Sequence, residues 1–154
     1  MTDPPPAGAK APATAPERAV VGFDGSPAAV RAARFAIALL PRGTAGATLW
    51  LVYAYQPDAR LAEPVTDEGA TSPVRAVRRS METLARAAAE AGMQVELIVR
   101  EGPAAETVVA VARQAAAGWI LVGSRGLGPA SRVFLGSVSA KIVELAAMPV
   151  TVVP

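Results

Sequence analysis

Short apolar runs of strand length alternate along this chain with segments whose apolar residues recur every three or four positions, and this alternation leaves few possible folds. The first run, Ala19-Val20-Val21-Gly22-Phe23, ends in Asp24-Gly25-Ser26-Pro27. Ser26 suits a helix N-cap, and Pro27 suits the first helical position, where a missing N–H leaves no bond unmade. Val30, Ala33, Ile37 and Leu40 then recur at helical spacing, with Arg31 and Arg34 on the other side, until Pro41 and Gly43 stop the helix. Thr48-Leu49-Trp50-Leu51-Val52-Tyr53-Ala54-Tyr55 is rich in β-formers and apolar on both faces, as a central strand requires.

Gln56 to Pro73 is polar and broken by Pro57, Pro64 and Gly69, which predicts a long loop or lid. Val74, Val77, Met81, Leu84 and Ala88 form the next helical stripe, with a Glu82–Arg86 pair expected on its solvent side. Gly92 ends that helix, and Gln94 to Arg100 partly alternates, as an edge strand does. Gly102-Pro103 opens a third helix through Val108 and Val111, and Trp119-Ile120-Leu121-Val122 is a fourth strand. A last helix from about Val138 to Ala147 is broken by Met148-Pro149 before the closing strand Val150-Thr151-Val152-Val153. Five strands alternating with four helices predict an α/β fold, a parallel sheet covered by helices on both faces. Ligands of such sheets bind beyond the C-terminal strand ends. Asp24-Gly25-Ser26, Tyr55-Gln56 and Gly123-Ser124-Arg125-Gly126 should therefore converge on one cleft.

At 154 residues and 52% hydrophobic content, the chain suits one core and is too short for two ordinary domains. Residues 1–17, rich in Pro and Ala, predict a disordered tail, and residues 18–154 the folded domain. The tail lacks the apolar centre of a signal peptide, and no apolar run approaches the ~20 residues that cross a bilayer, so a cytoplasmic protein without membrane contact is expected. There is no Cys and no His, which excludes thiolate chemistry, Ser-His-Asp triads and histidine general bases. Net charge is +2, with scattered basic residues and few aromatics, so a nucleic-acid partner is not expected.

One stretch carries chemistry. Gly123 and Gly126, then Gly136-Ser137-Val138-Ser139, lie between the fourth strand and the last helix. A glycine-rich turn at that junction brings the backbone close to a ligand and aims free N–H groups at it, and phosphate is the natural partner of such amides. Each residue also has a plainer reading. The glycines could only shape a turn, Ser137 and Ser139 could only cap the helix, and Asp24 could cap the first helix instead of approaching phosphate or Mg²⁺. Arg125 could be a solvated charge or a phosphate contact, and Trp50 and Trp119 suit the core.

The Gly-x2-Gly-x9-Gly-Ser spacing of Gly123, Gly126, Gly136 and Ser137, together with Val21-Gly22-Phe23-Asp24-Gly25-Ser26, resembles the universal stress protein family. Val122-Gly123-Ser124-Arg125-Gly126, Leu135-Gly136-Ser137-Val138-Ser139 and Pro149 to Val153 carry the likeness, which covers residues 18 to 154. The resemblance implies an adenine-nucleotide alpha-hydrolase-like sheet of order 3-2-1-4-5 that binds ATP, with Mg²⁺. Carried over by position, Gly22, Phe23 and Asp24 approach the nucleoside and phosphates, and Ala54 offers backbone groups to the adenine edge. Val122, Gly123, Arg125 and Gly126 form the ribose and phosphate turn, and Gly136, Ser137, Val138 and Ser139 bind phosphate at a helix N-terminus. The resemblance also implies a homodimer through the last strand. The chain departs from the family's pattern at Gly118, where an Asp is usual, at Tyr53, where a His is usual, and at Ala146-Ala147-Met148, which holds no Cys or His.

The expected function is an ATP-binding stress-response regulator that signals to an unknown protein partner and is at most a slow ATPase. A slow hydrolase and a nucleotide-free interaction module of the same fold are the alternatives. A Gly-x4-Gly-Lys-Ser/Thr loop is absent, and so is the three-glycine dinucleotide fingerprint after the first strand. Valine at Gly123 or Gly136 is expected to fill phosphate space while leaving the fold intact.

Overall fold

The computed structural model describes residues 17–41, 47–56, 73–125 and 135–154. Residues 1–16 of the expected tail, residues 57–72 of the expected loop, Gly43 and Gly126 lie outside them. The order is β1 (Arg18–Gly22), α1 (Pro27–Leu39), β2 (Thr48–Tyr55), α2 (Pro73–Glu90), β3 (Gln94–Glu101), α3 (Ala104–Gln114), β4 (Trp119–Gly123), α4 (Ser137–Leu145) and β5 (Val150–Val153). All strand pairs are parallel and the sheet runs β3-β2-β1-β4-β5, the order implied by the resemblance.

Side-chain alternation divides the apolar strand residues between two cores. Ala19, Val21, Leu49, Leu51 and Leu121 meet α1 and α2 on one face. Val20, Trp50, Val52, Ile120 and Val122 meet α3 and Ile142 of α4 on the other. Both tryptophans bury most of their rings and satisfy their indole N–H. Trp50 Nε1 donates to Glu96 Oε2 at 3.0 Å, and Trp119 Nε1 to Thr151 Oγ1 at 2.9 Å.

Two helix faces differ from expectation. The buried face of α1 is Ala28, Ala29, Ala32, Ala33 and Ala36, while Val30 and Ile37 are only partly covered. Alanine lets this helix lie close on the sheet, and the branched residues flank the contact. On α2 the buried stripe is Val77, Met81, Leu84 and Ala88 as expected, but Glu82 pairs with Arg78 (3.6 Å), not Arg86.

Helix ends follow local chemistry. Gly92 (φ +84°) closes α2 with bonds from Gly92 N–H to the Ala89 carbonyl and from Met93 N–H to the Ala88 carbonyl. At the end of α3 the same left-handed position is held by exposed Ala116 (φ +47°), with Ala117 N–H donating back to the Ala112 carbonyl.

Candidate functional site

The C-terminal ends of β2, β1 and β4 lie side by side. Gly22 pairs with Val52 on one side and with Val122 on the other. Beyond β1, Phe23 N–H donates to the Val52 carbonyl (2.8 Å). The chain then turns at Asp24-Gly25, with Ser26 N–H bound to Asp24 Oδ1 (2.9 Å). Gly25 sits at φ +81°, a conformation open to glycine, and a Cβ there would come within 3.1 Å of Val77.

Ser26 does two jobs with one hydroxyl. Its Oγ caps α1 by accepting Ala29 N–H (3.2 Å), and it donates to the Arg125 carbonyl (3.2 Å). The turn after β1 is thereby fastened to the turn after β4. Ser26 is 1% exposed.

The turn after β4 is fastened at three further points. Ser124 N–H donates to the Val153 carbonyl (2.7 Å), Gly136 N–H to the Ser124 carbonyl (2.8 Å), and Ser139 Oγ to the Gly123 carbonyl (2.7 Å). Gly136 is the N-cap of α4 and offers no side chain. The first intrahelical bond runs from Ala140 N–H to the Gly136 carbonyl (2.9 Å). The amides of Ser137, Val138 and Ser139 thus have no acceptor within the helix, and they carry the positive end of its dipole. Ser137 and Val138 are exposed.

The structure sorts the expected site residues. Gly22, Phe23, Asp24, Ala54, Val122, Gly123, Arg125, Gly136, Ser137, Val138 and Ser139 all fall at or beyond the strand ends or on the first turn of α4; Gly126 lies outside the described residues. The Phe23 and Val122 side chains are core, 3% and 4% exposed, and are not available to a ligand. Ser139 commits its hydroxyl to Gly123, leaving its amide. Gly123 is glycine for a packing reason: a Cβ would stand 2.8 Å from the Ala28 and Ala29 backbone of α1. The expectation that valine at Gly123 would fill phosphate space is corrected, because it would strike the helix. At Gly136 a Cβ would meet the Ser124 carbonyl at 3.2 Å.

The sequence places Ser26 and Tyr55 among the converging segments but predicts neither the Ser26 tie to Arg125 nor the stacking of Tyr55 on Tyr53. Ser26 reads there as a cap, and nothing local announces a bond 99 residues away. The ring centroids of Tyr53 and Tyr55 lie 6.2 Å apart. Burial first, then the charge of Asp24 and the neighbouring Tyr55, raises the Tyr53 phenol above its ordinary pKa.

The expectation of scattered basic residues also needs correction. Arg75, Arg79 and Arg86 fall with Arg78 on the face of α2 opposite its buried stripe. Arg75, Arg78, Arg79 and Glu82 line an open groove of about 230 Å³ there. No cluster of three acidic residues able to hold a metal occurs among the described residues, and no described helix is long and apolar enough to cross a membrane.

Known proteins share this fold. Residues 16–154 match the Universal stress protein family. A universal stress protein of Thermus aquaticus, encoded 3′ of a QAH/OAS sulfhydrylase, is 36% identical over 136 residues, which is 87% of this chain and 96% of the relative. Among solved structures, a hypothetical protein whose biochemical function was assigned from its structure superposes with a TM-score of 0.75 at 21% identity, covering 89% of this chain and 94% of that one. A universal stress protein solved in complex with cAMP superposes with a TM-score of 0.64 at 26% identity, covering 91% and 98%.

Proposed function

This chain belongs to the universal stress protein family, and we propose that within it the protein is an ATP-binding regulator, acting as a homodimer and signalling nucleotide occupancy to a protein partner. One observation carries the reading. The first turn of α4 leaves the amides of Ser137, Val138 and Ser139 without a helical acceptor beside the tied turns after β1 and β4, and Asp24 is the one carboxylate that those two turns bring there among the described residues. Such a site suits an anion and has little with which to activate a water. The related protein bound to cAMP supports an adenine nucleotide as the ligand.

On this reading Ala54 meets the adenine edge, Gly22, Asp24, Gly123 and Gly126 follow the ribose and phosphates, and Gly136 to Ser139 hold the terminal phosphates. Arg125 is exposed beside them and adds charge. Asp24 alone cannot cage Mg²⁺, so the ion would arrive on the nucleotide's own phosphates, as Mg²⁺ commonly does. Residues 18–154 form the nucleotide-binding domain behind a Pro/Ala-rich tail, and the protein works in the cytoplasm.

The dimer reading has its own support. β5 is an edge strand whose four residues are all half-exposed. The two helices that contact it carry exposed apolar residues: Phe35 (42%) and Leu39 (51%) on α1, and Val143 (49%) on α4.

The test is to denature natively purified protein, identify any released nucleotide, and titrate ATP–Mg²⁺ into stripped protein by calorimetry. Ser137→Glu is the control variant. A carboxylate in the first turn of α4 favours the helix dipole but repels phosphate. ATP affinity should fall tenfold or more with thermal stability unchanged or raised. Unaltered affinity would remove α4 from the site, and turnover at ordinary enzyme rates, about 10 per second, would replace the regulator by a hydrolase.

A further inference from the structure

The C-terminal end of β2 carries two tyrosine rings on one side of the sheet. Tyr53 and Tyr55 are stacked with their planes 30° apart, while Ala54 between them faces the opposite side. Tyr53 packs on the core cluster shared with α1 and α2. Tyr55, one step further toward the strand end, keeps a half-exposed ring. Asp24 stands two residues past Gly22, the partner of Val52, which sets it at the level of the pair, and its charge adds to the burial that raises the Tyr53 phenol. Core packing accounts for Tyr53. It gives no reason for a second ring stacked where the sheet ends.

The phosphate-binding elements lie on the other side. α4 packs against α3 through Ile142, on the face away from α1 and α2. A ligand held by the first turn of α4 must cross the sheet edge to reach β2.

We infer that Tyr55, backed by Tyr53, is the surface on which the ligand's base stacks, so that the nucleotide lies across the sheet edge with its phosphates on the α3/α4 side and its base on the α1/α2 side. The inference rests on the nucleotide reading above and narrows it. The ligand must carry a planar base, which excludes a bare phosphate or a sugar phosphate as the physiological occupant. Every base offers a π-face, so the tyrosines select for a base and leave the choice among bases to the strand edge at Ala54.

The experiment compares ATP with inorganic triphosphate as calorimetric titrants for the wild type, Tyr55→Ala and Tyr55→Phe. Tyr55→Ala should weaken ATP on the order of tenfold and leave triphosphate unchanged, and Tyr55→Phe should keep wild-type affinity for both. A Tyr55→Ala protein that binds ATP like the wild type overturns this inference alone. Equal losses for ATP and triphosphate also overturn it, since they would report damage to the phosphate turn. Wild-type protein that binds neither titrant overturns the nucleotide reading and this inference with it.

Discussion

Ser26 shows how much one short side chain can hold together. Its hydroxyl caps α1 and ties the β1 turn to the Arg125 carbonyl, both from a buried position. Ser26→Ala should lower stability by about 1–2 kcal/mol, the worth of a good cap, as read from urea unfolding. Gly123 acts by having no side chain. Gly123→Ala puts a methyl 2.8 Å from the α1 backbone and should cost roughly 1–3 kcal/mol in the same assay, with unfolding at lower urea. Tyr53 gives a pH dependence whose sign follows from its raised folded-state pKa. The folded protein holds the phenolic proton more tightly than the unfolded chain does, so this contribution is complete below the unfolded value of 10.0 and is lost as pH rises through the folded one. Wild-type stability should fall more steeply above about pH 10 than that of Tyr53→Phe. Parallel curves would remove the contribution.

At the scale of elements, the sequence announces where helices and strands fall and which face of α2 is buried, but only part of the buried face of α1. Of the Val30, Ala33, Ile37 and Leu40 stripe of α1, Ala33 and Leu40 are buried, while Val30 and Ile37 give way to further alanines that fit the narrow space over β1 and β4. Periodicity reports spacing and says nothing of how close the partner layer stands. In α2 the partner of Glu82 is upstream Arg78, a choice between two arginines four residues either side that spacing leaves open. The end of α3 offers a prediction at this scale. Ala116 occupies a left-handed position at φ +47° with its side chain exposed, so glycine relieves the backbone without removing packing. Ala116→Gly should stabilise the protein by about 1 kcal/mol, seen as a higher urea midpoint with unchanged slope.

For the whole molecule, the open β5 edge is where the proposed dimer can be tested. Pro149 and Val153 turn their carbonyls toward β4, so the N–H groups of Val150 and Val152 point away from the sheet. Val152→Pro removes an outward donor while sparing the bonds to β4. Light scattering should find the wild type dimeric and this variant monomeric, and a dimeric variant would exclude pairing through this edge. The strand–helix alternation and the Gly-Ser spacing were sufficient to place the parallel sheet and the turns beyond its C-terminal edge, because both signals are local and periodic. The Ser26–Arg125 tie, the helix backbone against Gly123 and the placing of the tyrosine pair near Asp24 depend on how distant segments meet. Those were decided by tertiary structure alone, since a contact across 99 residues leaves no trace in the spacing of either partner.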